Sequence, residues 1–344
     1  MPDLLRAAAL VRVVTFHAVG MPYALTWLPA MPLMFFFGGS FAEASMARGA
    51  PSRWVVARYR RVLVPLLPFS AVTLAVYGAT GHLGALTPRQ LVSLFVPPLS
   101  YPAPAGPVDA ESGLGWTFIG LWYLQMYLLF VTLSPLLRWA LARRPRLLVA
   151  VMTVACATTL AFGDGGRMLS FLLAWTAGML LRRTPVDAHR RACRAVAGGA
   201  LVAGTMVFLA ASGPRPDPTM GRWDTLATAL LGLAWISGSI GFRAGLEALA
   251  ARAAVERVVG WLHARAVSVY LWHFAAVGAA AGVARAALGD AWGVGHGLLS
   301  LVVTVPLGAA LATVAGPIED RAAGRRSSPA RGPTAAARVR PAVS

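Results

Sequence analysis

The chain has 344 residues, of which 57% are hydrophobic and only 13% are charged, against about 25% charged in an average soluble protein. All 31 basic residues are arginines, and with 13 acidic residues they give a formal net charge of +18. On a soluble protein this charge would indicate nucleic-acid binding, but the chain has too few polar residues for a water-soluble basic face. Its two cysteines, Cys156 and Cys193, exclude a disulfide scaffold and a four-cysteine zinc site. The composition therefore indicates a protein of the lipid bilayer.

Apolar segments occur along most of the chain, and a helix that crosses a bilayer needs about 20 mostly apolar residues. Ten segments approach this criterion: residues 5–27, 29–46, 62–80, 116–137, 147–163, 167–181, 195–212, 225–242, 266–287 and 297–315. We interpret the first as a retained span and not as a signal peptide, because Arg12 and His17 interrupt its apolar run. The sequence thus predicts an all-α integral membrane protein with about ten transmembrane helices.

The arginines predict the orientation of these spans. With the N-terminus inside, 24 of the 31 arginines fall in the segments assigned to the cytoplasm: residues 47–61, 138–146, 182–194, 243–265 and the C-terminal tail. Positively charged loops are retained on the cytoplasmic side during membrane insertion. We therefore expect both termini in the cytoplasm and the protein in the plasma membrane as a multi-pass protein.

Two segments are not predicted to cross the membrane. Residues 81–115 form an outer loop rich in Pro and Gly, in which residues 88–96 have the pattern of a short helix. A loop of this length is either a plain connector or a lid or binding element. Residues 321–344 contain almost no large apolar side chain, so we expect a disordered cytoplasmic tail. Residues 1–320 then form a single transmembrane domain.

The first span carries an arginine and a histidine on one face. Eleven steps of about 100° each bring Arg6 and His17 to nearly the same side of a helix. An ionisable residue deep in a membrane is costly and indicates a function, and histidine titrates near neutrality, as a general base requires. Alternatively, His17 makes an interhelical hydrogen bond and Arg6 extends to the lipid headgroups. The first span by itself leaves both interpretations open.

Later motifs are equally ambiguous when they are taken singly. Arg58 and Arg61 lie three residues apart, so they share a helix face and have the spacing to hold a phosphate, although positive charge is expected in any cytoplasmic loop. Trp122 occurs in a Gly-Leu-Trp-Tyr-Leu-Gln segment, where it fits an interfacial aromatic belt as well as a site. Ser268 and His273 bound a Ser-Val-Tyr-Leu-Trp-His segment in the ninth span. No motif for a metal site or a nucleotide-binding loop is present in the sequence.

In chain order, however, these motifs resemble the acyltransferase 3 family of ten-span membrane O-acyltransferases. The similarity covers residues 4–320 and departs from the family pattern at residues 31–34, where the family usually has an acidic residue. It rests on six motifs: Arg6 with His17, Phe35-Phe36-Phe37-Gly38, Arg58 with Arg61 and Pro65, Leu121-Trp122-Tyr123-Leu124, Ser268-Val269-Tyr270-Leu271-Trp272-His273, and Ile318-Glu319.

The resemblance implies an enzyme that moves an acyl group, most often acetyl, from acyl-coenzyme A to a hydroxyl of a carbohydrate or glycosylated acceptor. Acyl-coenzyme A is then a co-substrate, and neither a bound cofactor nor a metal is expected. In this scheme His17 is a general base or a transient acyl carrier. The other expected site residues are Arg6, Tyr270 and His273 in catalysis, and Arg58, Arg61, Trp122 and Ser268 in substrate binding.

The expected partners are the lipid bilayer, acyl-coenzyme A and the glycosylated acceptor, with no nucleic acid. The alternative is a transporter or flippase for a lipid-linked or glycosylated metabolite, since ten spans with buried arginine and histidine permit one. A proton-coupled transporter would more often carry carboxylates in mid-membrane. Use of acyl-coenzyme A distinguishes the two classes, because a transporter would leave the thioester intact.

Overall fold

The computed structural model describes residues 1–19, 27–100, 116–162, 166–183, 190–212, 221–289 and 293–325. These residues form thirteen α-helices and no β-strand, so the predicted all-α class is confirmed for this part of the chain. The helices are α1 (Pro2–Val19), α2 (Ala30–Met46), α3 (Pro51–Ala79), α4 (Pro88–Phe95), α5 (Trp116–Arg143), α6 (Pro145–Phe162), α7 (Gly166–Leu181), α8 (Arg190–Ser212), α9 (Gly221–Gly241), α10 (Arg243–Ala250), α11 (Ala253–Ala264), α12 (Ala266–Leu288) and α13 (Val294–Ala322).

Each of the ten segments predicted as spans overlaps a helix in the described part of the chain, and several of these helices meet the criterion for crossing a membrane. Within the described residues, α3, α5, α8, α12 and α13 are long and apolar enough, and α9 with α10 makes a sixth if that pair, bent by 77°, is one span. The helices α6 and α7 are apolar but shorter. The protein is therefore a multi-span membrane protein. The count of ten and the cytoplasmic position of the termini stay predictions.

The first part of the predicted outer loop packs against the helix bundle. The helix α4 matches the predicted short helix and begins with a capping box, in which Thr87 and Gln90 exchange side-chain and backbone hydrogen bonds. The hydroxyl of Ser70 on α3 donates to the carbonyl of Leu94, at 2.6 Å, and Leu94 is fully buried. The helix α4 is thus held against α3. Residues 101–115 of the loop and residues 326–344 of the tail lie outside the described residues.

Glycines bring α2 and α7 into backbone contact. A Cβ atom on Gly39 would lie 1.9 Å from the carbonyl oxygen of Trp175, and one on Gly178 would lie 1.9 Å from the carbonyl oxygen of Phe36. Small residues commonly allow such close approach between helices in membranes, where packing replaces the hydrophobic effect. The Phe-Phe-Phe-Gly-Gly segment of the second predicted span therefore forms a tight α2–α7 pair.

A buried carboxylate connects the ends of three helices. Glu43 on α2 accepts two hydrogen bonds from Arg183, which follows α7, at 3.0 and 3.1 Å. Arg138 on α5 lies 3.4 Å from the same carboxylate and also donates to the carbonyl oxygen of Met46, at 2.6 Å. Because a buried charge is tolerated only when it is paired, this cluster stabilises the bundle at the predicted cytoplasmic side.

Candidate active site

A cavity of about 310 Å³ lies among α1, α2, α3, α5 and the junction between α11 and α12. Four arginines line it: Arg6, Arg48, Arg58 and Arg61. Tyr123 on α5 and Tyr270 on α12 line it as well. Because Leu10 also lines the cavity and lies one helical turn beyond Arg6, the cavity extends from the arginines into the bundle. The space therefore has a basic end and an aromatic end.

Arg6 occupies the basic end together with a carboxylate and an imidazole. Its guanidinium lies 3.6 Å from the carboxylate of Asp3, donates to Nδ1 of His263 at 3.3 Å, and lies 5.1 Å from the centre of the Phe41 ring. His263, on α11, also has its Nδ1 3.2 Å from Asp3. Burial, and then Arg6, lower the pKa of the His263 imidazole, while Asp3 opposes this shift. In this structure a carboxylate thus lies beside the guanidinium of Arg6.

The predicted pairing of Arg58 with Arg61 agrees with the geometry of α3. Both side chains line the cavity, and the Arg58 guanidinium lies 5.8 Å from the centre of the Trp54 ring, one turn earlier on the same helix. Arg60, between them in sequence, instead donates to the carbonyl oxygen of Ala322 at 3.2 Å. The helical period therefore selects which arginines of this segment face the cavity.

Sequence reasoning missed several residues that line the same cavity. Arg48 lies in the connection between α2 and α3, and His263 lies near the end of α11. Tyr127 and Trp54 add aromatic surface. The sequence signal for Arg48 was its place in an arginine-rich loop, which it shares with many other arginines. For His263 no local signal exists, because only the packing of α11 against α1 brings it to Arg6.

The two histidines predicted to lie deep in the membrane are neighbours. The rings of His17 on α1 and His273 on α12 have their centres 5.3 Å apart. The ring of Phe274 packs against both, with its centre 4.6 Å from that of His17 and 4.0 Å from that of His273. Neither histidine lines the cavity. The aromatic end of the cavity is nevertheless close, since Tyr270 lies 5.7 Å from His273, ring centre to ring centre.

Tyr270 stands between the cavity and the histidine pair, and α5 holds it there. Its hydroxyl donates to the carbonyl oxygen of Gly120, and its ring centre lies 5.0 Å from that of Tyr123. A Cβ atom on Gly120 would lie 2.3 Å from the ring of Phe274, so a larger residue at this position would displace that ring. The backbone of α5 therefore positions both Tyr270 and the ring that contacts the two histidines.

Ser268 is held by α13 and does not line the cavity. Its backbone N–H and its hydroxyl both donate to the carboxylate of Glu319, at 3.1 and 2.8 Å, and the N–H of Val267 donates to the same group at 3.3 Å. Next to them, Arg265 makes two hydrogen bonds of 2.8 Å with Asp320, which raise the pKa of Arg265. A carboxylate at the N-terminus of a helix satisfies its unpaired N–H groups and its dipole. Glu319 thereby fixes the start of the helix that carries Tyr270 and His273.

Trp122 lies in the packing between α5 and α7. Its ring is stacked against that of Phe171, with centres 6.0 Å apart, and it is not among the residues that line the cavity. Its neighbour Tyr123 points to the cavity instead. The structure therefore brings Arg6, Arg58, Arg61 and Tyr270 together at the cavity, places His17 and His273 beyond it, and leaves Trp122 and Ser268 in helix contacts.

The structure thus has a basic cavity close to a pair of neighbouring histidines, in a multi-span helical protein, and these features define the class of molecule to compare with known proteins. The sequence model of the acyltransferase 3 family, described as an acyltransferase domain, matches residues 2–316. The chain belongs to this family, and the predicted resemblance is confirmed. No curated protein and no solved structure matches it. The protein is accordingly a membrane acyltransferase in the general sense of the family.

Proposed function

We propose that this protein is a membrane O-acyltransferase of the plasma membrane. In this proposal it transfers an acyl group, acetyl in the first instance, from acyl-coenzyme A to a hydroxyl of a carbohydrate or glycosylated acceptor. The observation that supports it best is the order in which arginines, aromatic residues and histidines follow one another along the site. A cavity with four arginines passes into an aromatic wall, and Tyr270 in that wall adjoins the His17–His273 pair.

The basic end suits the nucleotide end of the donor. Coenzyme A carries its phosphates at one end and its thioester at the other, joined by a long flexible arm. Arg6, Arg58 and Arg61, with Arg48, supply cationic donors of the kind that bind phosphate by charge-assisted hydrogen bonds. Because Arg6 and His17 are eleven residues apart on one helix, their axial separation is about 16 Å at ~1.5 Å per residue. An extended donor arm spans such a distance.

The histidine pair suits the transfer step. In the general-base version, His17 takes the proton of the acceptor hydroxyl while the hydroxyl oxygen forms a bond to the thioester carbonyl carbon. The carbon–sulfur bond then breaks, and the thiolate takes the proton from His17 to give free coenzyme A and the ester. In the carrier version, a nitrogen of His17 attacks the thioester carbonyl carbon, the carbon–sulfur bond breaks, and the thiolate leaves as free coenzyme A with the proton of the imidazole. The acceptor hydroxyl then attacks the acyl-imidazole, and its proton returns to His17 as the ester forms. In either version Tyr270 lines the path of the substrates and takes no part in proton transfer. Its hydroxyl already donates a hydrogen bond to the carbonyl oxygen of Gly120.

Replacement of His17 tests the proposal directly. General-base catalysis contributes about 10²–10⁴-fold to a rate, so His17→Ala is expected to reduce transfer to background. The assay follows thiol release from acetyl-coenzyme A, and transfer of radiolabelled acetyl into the membrane fraction, with the detergent-solubilised protein. His82→Ala is the matched control, because His82 follows α3 at the opposite end of that helix from the arginines that line the cavity, and this variant should retain full activity.

The same assay separates the two function classes. A transporter or flippase of a lipid-linked or glycosylated metabolite would release no thiol from acetyl-coenzyme A in any variant. A folded His17→Ala protein with wild-type activity would contradict the role of His17, whatever the acceptor. Membership of an acyltransferase family favours acyl transfer over transport.

A further inference from the structure

The hydrogen bonds of His273 determine which of its ring nitrogens carries a proton. Nδ1 of His273 lies 2.6 Å from the carbonyl oxygen of Tyr270, one turn earlier on α12. A carbonyl oxygen can only accept a hydrogen bond, so Nδ1 must be the donor. In the neutral imidazole the other nitrogen, Nε2, then carries a lone pair and acts as an acceptor.

That acceptor is buried without a donor. His273 is 1% exposed, and its Nε2 has no hydrogen-bond partner in the described part of the chain. A buried acceptor with no partner costs free energy, and in a native structure it requires an explanation. The site already described does not supply one, because Tyr270 uses its hydroxyl on Gly120 and offers its carbonyl to Nδ1.

His17 is the polar side chain at the right distance to serve this acceptor. Two imidazoles joined by an N–H to N hydrogen bond of ~2.9 Å have ring centres roughly 5 Å apart, once the two ring radii are added. The observed separation of His17 and His273 is 5.3 Å. At this separation, an N–H group of His17 that is directed at Nε2 of His273 lies within hydrogen-bond distance of it.

We propose that His273 is a positioning residue for His17. On this view Nε2 of His273 accepts the ring N–H of His17 and leaves the lone pair on the other nitrogen of His17, facing the substrates. When His17 takes a proton from the acceptor hydroxyl, the hydrogen bond to His273 stabilises the imidazolium until the leaving thiolate takes that proton. The inference rests on the proposed acyl transfer, and it follows the logic by which a third group orients a catalytic base.

Two amide substitutions at position 273 separate this role from simple packing. His273→Gln can place an amide oxygen near the position of Nε2 and so keeps an acceptor for His17. His273→Asn can keep an amide donor for the Tyr270 carbonyl but has nothing that reaches the position of Nε2. The two variants have similar polarity. The Asn side chain is smaller than the imidazole, and the Gln side chain is about as large.

The expected result is a split between them in kcat. Removing one hydrogen bond to a charged group lowers a rate by about 10- to 100-fold, so His273→Asn should lose this factor in thiol release from acetyl-coenzyme A. His273→Gln should keep most of the wild-type kcat. The KM for acetyl-coenzyme A should be unchanged in both, because His273 does not line the donor cavity.

A spectroscopic measurement provides a readout that packing alone would not change. Nitrogen NMR spectra of protein labelled at histidine should show a single tautomer for His17 in the wild type and in His273→Gln. In His273→Asn the same ring should exchange between two tautomers. Resonances of His17 and His273 are identified by their loss in His17→Ala and His273→Gln.

Each outcome decides the matter. Equal activity of the Asn and Gln variants, whether both are near wild type or both are inactive, overturns the positioning role. The positioning role is also overturned if a raised KM or a lowered unfolding temperature accounts for the whole loss of activity in His273→Asn. If the wild type releases no thiol from acetyl-coenzyme A, the proposed function itself fails. If the wild type is active and His17→Ala is not, but the two amide variants are alike, only this inference fails.

Discussion

Individual arginines of this chain serve two different purposes that depend on what their side chains contact. Among the described residues, Arg138 and Arg183 pair with the buried carboxylate of Glu43, and Arg265 pairs with the partly buried carboxylate of Asp320. These ion pairs connect different helices, so the role of these three arginines is structural. A second group directs its guanidinium groups to a cavity: Arg6, Arg48, Arg58 and Arg61. The first group thus connects helices, whereas the second places four arginines around one cavity, where Arg6 lies beside Asp3.

Arg61 and its neighbour Arg60 provide a matched test of the cavity. A charge-assisted hydrogen bond is worth roughly 1.5–3 kcal/mol, so Arg61→Ala is expected to raise the KM for acetyl-coenzyme A about tenfold or more, with little change in kcat. Arg60→Ala removes an equal charge about 100° around the same helix, where the side chain binds the Ala322 carbonyl, and should leave the KM unchanged. Steady-state kinetics of thiol release measure both. Equal KM values in the two variants would rule out a phosphate-binding role for Arg61.

At the scale of elements, the site depends on three close helix contacts. The helices α2 and α7 meet at Gly39 and Gly178, and α5 meets α12 at Gly120. The start of α12 is held by Glu319 of α13. Because α2 carries Gly38 and α12 carries Tyr270, both of which line the cavity, these contacts determine its width. A shift of α2 or α12 at these contacts would therefore change the width of the cavity.

Substitution of Gly39 tests the α2–α7 contact. Because the added methyl group would overlap the Trp175 carbonyl, Gly39→Ala is expected to destabilise the protein by about 1–3 kcal/mol, the usual cost of overpacking. Gly198→Ala, on an exposed face of α8 with nothing within 4 Å, should be neutral or stabilising by up to about 1 kcal/mol. Unfolding temperatures in detergent, read from the monodisperse fraction after heating, compare the two. A lower unfolding temperature for Gly198→Ala than for Gly39→Ala would contradict the helix packing described.

At the scale of the whole molecule, the distribution of charge and the distribution of hydropathy predict the same topology. The predicted alternation of the ten spans puts the arginine-rich segments at one set of helix ends. Positive residues at that side agree with cytoplasmic retention. The basic end of the cavity lies at the same set of ends, since Arg48 and Arg58 belong to one of these segments. On this topology the donor would enter from the cytoplasm, where acyl-coenzyme A is made.

Cysteine labelling tests the predicted topology. In a background in which Cys156 and Cys193 are replaced by Ala, Ser52→Cys at the start of α3 should react with a membrane-impermeant maleimide only after the cells are permeabilised. Ala85→Cys, in the segment after α3, should react in intact cells. Both positions are exposed in the structure, so access to solvent is comparable. Labelling of both in intact cells, or of neither, would contradict the ten-span arrangement.

The sequence by itself determined the features that depend on neighbouring residues. Hydropathy located the helices because a span is a local, continuous run of apolar residues. Helical periodicity placed Arg58 and Arg61 on one face, and the structure directs both to the cavity. The order of short motifs was enough to indicate the family to which the chain belongs. Each of these inferences needs only distances along the chain.

The tertiary structure alone decided which side chains meet across helices that are far apart in sequence. Arg6 and His17 share a face of α1, yet Arg6 lines the cavity while His17 contacts His273 beyond it. Ser268 binds Glu319, and His263 contacts Arg6, although nothing local to either residue indicates its partner. The physical reason is that these contacts follow from how glycines and buried carboxylates allow helices to approach, and this approach is a property of pairs of helices.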